Sequence, residues 1–145
     1  LYNLLKKSKR WEWTAEHENA FTTIKKILCS DQTLTHFNPK AKIVLTVDAS
    51  PNGLGAIISQ IDSDGVERPI SFASRTLNAA EKHYAQIQKE ATAIIYGVRR
   101  FHQYLYGRSE PFVLGTDHKP LISIFGPHKG IPEVSANRLQ RYAML

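Results

Sequence analysis

Cys29 is the single cysteine among 145 residues. That count excludes an intramolecular disulfide framework and any cysteine-based zinc site, and the chain reads as intracellular. Cys29 itself sits at an apolar helical position and reads as a small packing residue rather than a nucleophile. No apolar run approaches the roughly 18 residues that span a bilayer, and no charged-then-apolar leader opens the chain. No membrane partner is therefore indicated. Neither Gly-x-x-x-x-Gly-Lys-Ser/Thr nor Gly-x-Gly-x-x-Gly occurs, so nothing points to ATP or a dinucleotide. The histidines (His17, His36, His83, His102, His118 and His128) show neither His-Glu-x-x-His nor another paired metal spacing, which argues against a zinc hydrolase. Internal repeats and low-complexity tracts are also missing. The chain opens on Leu1 and stops mid-pattern at Met144-Leu145, as expected of a fragment of something longer.

What is present suits one buried core. Hydrophobic residues make up 42% and charged residues 22%, ordinary globular usage that excludes disordered and fibrous classes. Nineteen basic against 13 acidic residues leave a net charge of +6. A basic excess favours a polyanionic partner without naming it.

Ala20, Phe21, Ile24, Ile27 and Leu28 recur at helical spacing, with Glu16 and Glu18 early and Lys25 and Lys26 late, which predicts an amphipathic helix beginning at Thr14. Trp11 and Trp13 precede it as packing anchors. The turn-rich stretch 31–40 ends in Asn38-Pro39, and a boundary is expected there. Residues 41–49 then form a β-branched run, apolar on both faces, which reads as a central strand. Ser50-Pro51-Asn52-Gly53 is turn chemistry, 54–61 a second strand, Asp62-Ser63-Asp64-Gly65 a second turn, and 68–74 a third strand whose Pro69 suits a sheet edge. An antiparallel meander follows from these short connections. Asn78 and Glu81 form a capping box opening one long helix, with Tyr84, Ile87, Ala91, Ile94, Ile95, Val98 and Leu105 on its apolar stripe and Gly107 as its stop. Residues 112–116 read as a fourth strand. Asp117-His118-Lys119-Pro120 opens a short helix, 126–132 a loop, and 137–145 a further helix. A long helix between strands implies a crossover to a parallel partner, and the most apolar first strand is the expected neighbour of the fourth.

That topology carries Asp48 and Asp117 to the same sheet edge, where open α/β sheets bind their ligands. Glu90 falls about 70° from the centre of the helical stripe, at the margin of the packed face. Each has a plainer alternative: Asp48 as a turn former, Asp117 as an N-cap, Glu90 as a solvated helix residue. Gathered together, three carboxylates would repel one another and raise each other's pKa unless a cation joined them. Mg²⁺ is the hard cation such oxygen donors suit, and a pair of such ions supports phosphodiester hydrolysis.

In order along the chain stand Val47-Asp48-Ala49-Ser50 with Gly53 and Gly55-Ala56, then Pro69-Ile70-Ser71-Phe72-Ala73-Ser74-Arg75, Glu81, Tyr84, Lys89-Glu90, the segment 101–107, and Thr116-Asp117-His118-Lys119-Pro120-Leu121. This ordered set closely resembles the RNase H domain of reverse transcriptases from gypsy-type LTR retrotransposon polyproteins. The opening, with Trp-Glu-Trp-Thr and Ala20-Phe21, resembles the connecting segment that follows the polymerase. The resemblance implies residues 1–40 as that segment and 41–145 as an RNase H-like domain. Its fold would be α/β: a mixed sheet of a three-strand meander, a crossover helix and a parallel fourth strand, cut short before the fifth strand and last helix. It further implies hydrolysis of the RNA strand of RNA–DNA hybrids by a two-metal mechanism, with Asp48, Glu90 and Asp117 as catalytic metal ligands. Mg²⁺ would be the cofactor, with Mn²⁺ as a substitute. The partners implied are the hybrid, the upstream polymerase and the downstream integrase of one polyprotein, in a cytoplasmic virus-like particle. The family's fourth carboxylate has no counterpart, since no acidic residue follows Glu133, which is expected of truncation.

Hybrid binding calls for backbone contacts. Ser50, Asn52 and the backbone at Gly53 lie beside Asp48 and could meet a phosphate or the 2′-OH that distinguishes RNA. Arg138 and Arg141, with Tyr142, share a helical face, either as a further contact or as a solvated basic surface. Lys6, Lys7, Lys9 and Arg10 read as a solubilising run. His118 reads as a local orienting or packing residue. Two other readings remain open at this point: a catalytically silent hybrid-binding or packing module supporting the polymerase, and another enzyme of the same fold such as an integrase or resolvase.

Overall fold

The computed structural model describes residues 1–6, 10–30 and 33–125. It divides into two units, Leu1–Thr35 and His36–Leu145. The predicted helix over 137–145, the loop before it, and Arg138 and Arg141 lie outside the described residues.

In the first unit, α1 (Ala15–Leu28) is preceded by Thr14 as N-cap, whose hydroxyl and backbone N–H both meet the His17 ring. Trp13 stacks on Trp11, meets Phe21 edge-on and donates its indole N–H to Glu18. Phe21, Ile24, Ile27 and Leu28 remain exposed along the helix.

The second unit is built on a four-stranded sheet in the order β3-β2-β1-β4. β1 (Lys42–Ala49), β2 (Gly53–Ile61) and β3 (Glu67–Thr76) form the antiparallel meander, and β4 (Val113–Gly115) pairs parallel with β1. This is the mixed sheet that the topology argument predicts. β1 is central, and Ile43, Val44, Leu45 and Val47 are all buried, which explains why that strand lacks simple alternation. Pro69 does lie on the edge strand, opposite Ser59 and next to a register shift at Ile58/Ser59. The second turn closes on Gly65 with φ +78°, a conformation that favours glycine.

The long helix predicted from Asn78 is three pieces. α2 (Ala79–Lys82) is one turn, α3 (Gln86–Arg100) is the crossover helix, and α4 (His102–Leu105) follows it; α5 (Lys119–Phe125) comes after β4. No glycine or proline causes the first break. Ala85 is extended at φ −59° and ψ 153°, and serves as the N-cap of α3. The capping box at Asn78 and Glu81 is present as predicted, but it opens the short α2. The break satisfies tertiary partners on both sides. Glu81 pairs with Arg75 at the end of β3 (2.7 and 2.8 Å), while Gln86 donates to the Ala49 carbonyl at the end of β1 (2.9 Å).

α3 lies against β1 and β2 through Ala91, Ala93, Ile94 and Gly97, all buried. Gly97 marks the closest approach: a Cβ there would stand 2.9 Å from Val47 Cγ1 and 3.2 Å from Leu45 Cδ1. A β-branched side chain has no room, and the stiff Val47 cannot yield easily. Gly97→Val is expected to cost about 1–3 kcal/mol of stability, read as a lower urea midpoint.

Glu81 supplies a pH-dependent share of stability. The Arg75 guanidinium holds its carboxyl below the ordinary value of 4.5, with the Asn78 backbone N–H assisting. A lowered carboxylate pKa means the contribution is present above about 4.5 and is lost as pH falls through the folded-state value. Glu81→Gln should therefore lose about 1–2 kcal/mol at pH 7, and the gap to the parent chain should close as denaturation is repeated toward pH 3.

Candidate metal centre

Asp48 is the penultimate residue of β1, exposed between buried Val47 and Ala49. The parallel pairing places Thr46 beside Gly115, so two further residues along each strand bring Asp48 and Asp117 abreast. Asp117 is held by a local turn, in which the His118 N–H donates to Thr116 Oγ1 (3.2 Å) and the Lys119 N–H to the Asp117 carbonyl (3.1 Å). Glu90 sits on α3, one helical turn after Gln86, and is 4% exposed. The structure brings these three together: one carboxylate oxygen from each lies within 4.8 Å of the others.

The solvated reading of Glu90 does not hold. Burial pushes its carboxyl above the ordinary range; the charges of Asp48 and Asp117 push the same way, opposed by the Gln86 hydrogen bond and by His118. Glu90 Oε1 accepts from Gln86 Nε2 (2.5 Å), whereas Oε2 is buried with no hydrogen-bond partner. A buried orphan oxygen is rare because it forfeits its hydration without return. A cation beside it would supply that return. An all-carboxylate donor set, two members open to solvent, fits a hard divalent ion such as Mg²⁺ or Mn²⁺.

Beside Asp48 lies a cavity of about 530 Å³, lined among others by Ser50, Asn52, Gly53, Gly55, Ser74 and Thr76. Ser50, Asn52 and Gly53 thus stand where the turn pattern places them. The Ser50 hydroxyl is engaged by the turn, accepting from the N–H groups of Asn52 (3.2 Å) and Gly53 (2.9 Å). Gly53 is required by close approach, since a Cβ would lie 3.0 Å from the Arg75 carbonyl. Ser74, Thr76 and Gln86 escape the sequence pattern. The first two become neighbours of Asp48 only through the β2–β3 register, while the i, i+4 spacing of Gln86 and Glu90 is a signal that could have exposed the third.

Residues 13–114 match the family described as the RNase H-like domain found in reverse transcriptase. The chain belongs to this family. The matched span contains Asp48 and Glu90 and ends just before Asp117. The chain is also 39% identical over 122 residues to the Transposon Tf2-3 and Tf2-4 polyproteins of Schizosaccharomyces pombe, a span covering 84% of this chain and 9% of each polyprotein. It therefore represents about a tenth of the length of those curated relatives. Among solved structures, a foamy viral protease–reverse transcriptase (dRH) in complex with double-stranded DNA superposes with TM-score 0.70 at 16% identity, over 99% of this chain and 27% of that one. A foamy viral protease–reverse transcriptase in complex with RNA/DNA hybrid does so with TM-score 0.54 at 18% identity, over 99% of this chain and 19% of that one. At those identities the likeness shows the fold alone. Among the described residues no helix is long and apolar enough to cross a membrane.

The raised carboxyl of Glu90 has a defined sign. Its ionised form is disfavoured in the fold, so it weakens the metal-free protein as pH rises above about 4.5 and does so fully once pH exceeds the folded-state value. In chelator at pH 7, Glu90→Gln should unfold at a higher temperature than the parent, with the advantage gone near pH 4. Millimolar Mg²⁺ should raise the parent's melting temperature and leave that of the variant nearly unmoved. A variant no more stable than its parent at pH 7 would contradict the electrostatic account.

Proposed function

We propose that this chain is the ribonuclease H part of a gypsy-type retrotransposon reverse transcriptase and hydrolyses the RNA strand of RNA–DNA hybrids. The observation that carries this reading is the convergence of Asp48, Glu90 and Asp117 with Glu90 Oε2 buried and unpaired. In this reading the three carboxylates hold two Mg²⁺ ions, or Mn²⁺ in their place. The chemistry supplied by the bound ions is a water acidic enough to attack a phosphodiester and stabilisation of charge on the leaving oxygen.

The chain's own residues then divide the work. Glu90 closes the buried side of the site, and the exposed Asp48 and Asp117 form the side open to substrate. The Ser50–Gly53 turn and its cavity lie next to Asp48, suited to a backbone phosphate or a 2′-OH rather than to a base edge. The net charge of +6 is in keeping with a polyanionic substrate. Arg138 and Arg141 are proposed as further hybrid contacts. Residues 1–40 are assigned to the connecting segment and 41–145 to the ribonuclease domain, with the polymerase upstream and the integrase downstream in one polyprotein. The Tf2 relatives are transposon polyproteins of which the chain spans 9%, in keeping with a segment of such a polyprotein; a cytoplasmic virus-like particle is the setting proposed.

A protein extended past Leu145 in its reading frame is the sample for the test. With Mg²⁺ it should cut the RNA strand of a labelled hybrid and spare duplex DNA, and Asp48→Asn should lower the rate by about 100-fold or more. Equal cutting by that variant rejects the assigned site.

A further inference from the structure

We infer that Gln86 is the positioning residue of this centre, fixing which oxygen of Glu90 is offered to the cation. The inference rests on the metal-site reading above. Gln86 opens α3, and its Nε2 lies 2.9 Å from the Ala49 carbonyl and 2.5 Å from Glu90 Oε1. A side-chain amide nitrogen carries two hydrogens, so both donors are used. The Ala49 carbonyl can only accept, which also settles the orientation of the amide: reversed, its oxygen would face that carbonyl oxygen.

Ala49 directly follows Asp48. One side chain therefore ties the strand end that carries the first carboxylate to the helix that carries the second. Glu90 has three rotatable bonds and two neighbouring aspartates that repel it. Left free, the carboxylate would relieve that repulsion by swinging outward into water. Gln86 holds Oε1, and Oε2 stays buried without a hydrogen bond. One oxygen is committed to the protein and the other is kept for the ion.

The chemical type of residue 86 matters as well. A lysine or arginine could make the same bonds, but its charge would cancel part of the field that attracts a cation. A glutamate would set a further carboxylate against two oxygens. The neutral amide orients Glu90 and leaves the site its full negative charge.

Gln86→Met keeps the unbranched length and removes both donors. The probe is Mn²⁺, titrated calorimetrically into the full chain as parent, Gln86→Met and Asp48→Asn, with thermal unfolding of each recorded in chelator and in Mn²⁺. The expected result is an Mn²⁺ affinity about 10-fold or more weaker in Gln86→Met, together with a smaller metal-induced rise in melting temperature. If Gln86→Met only lowers the metal-free melting temperature and binds Mn²⁺ as the parent does, Gln86 is a structural tie and the inference is overturned. A parent that does not bind Mn²⁺, or an Asp48→Asn variant that binds it equally well, fails the site itself and removes the basis of the inference. The two failures are distinguishable because the first leaves parental binding intact.

Discussion

Like charges gathered within a few ångströms set the terms for the whole domain. Two carboxylates 4 Å apart repel by about 4 kcal/mol at an effective dielectric of about 20, and here three lie within 4.8 Å with one of them buried. A penalty of that size is a large share of the roughly 5–15 kcal/mol by which a domain is stable. Flexible attachments would dissipate it by moving apart. Asp48 cannot move because β1 is the centre of the sheet, paired on both sides. Asp117 cannot because the parallel pairing and the Thr116 turn fix the chain as it leaves β4. Glu90 cannot because α3 is pressed onto the sheet at Gly97 and tied at its first residue to Ala49.

Much of this arrangement is legible in the sequence because it follows from local chemistry and connection rules. The meander can be read from β-branched runs separated by Ser50-Pro51-Asn52-Gly53 and Asp62-Ser63-Asp64-Gly65, and the parallel placement of β4 from the need for a crossover. Those two steps suffice to bring Asp48 and Asp117 to one edge. Glu90 is harder. Its angular position marks the margin of the helix, and a margin residue can be solvated or buried with equal local propriety; only the packing of α3 on β1 decides. The break at residues 83–85 is invisible for a related reason. Local propensity favours continuity there, and what the interruption serves is a pair of bonds to strand ends, Glu81 to Arg75 and Gln86 to Ala49. Gly97 likewise reads as a weak spot in a helix until the strand beneath it is known.

The break also explains how two glutamates nine residues apart come to behave oppositely. Glu81 and Glu90 are both buried. Glu81 faces a guanidinium and two capping bonds with Asn78, and its carboxyl is held down. Glu90 is pushed up by its burial and then by two aspartates, against the Gln86 amide and His118. On an unbroken helix the two would project about 180° apart, and one of them would be turned from the sheet. Separating α2 from α3 lets each find its own pocket, one compensated and one not.

That asymmetry bears on what each residue can be for. A buried carboxylate with a matched cation of its own has nothing left to offer a ligand, so Glu81 serves the fold. A buried carboxylate given a neutral donor on one oxygen keeps the other without a hydrogen-bond partner. The protein could have quieted Glu90 by the same means it uses for Glu81, since Arg99 and Arg100 stand on the same helix. Both instead line a separate cavity with Arg75, Glu81 and Tyr96. The repulsion at Glu90 is eased by the Gln86 hydrogen bond and His118; a divalent cation would relieve what remains.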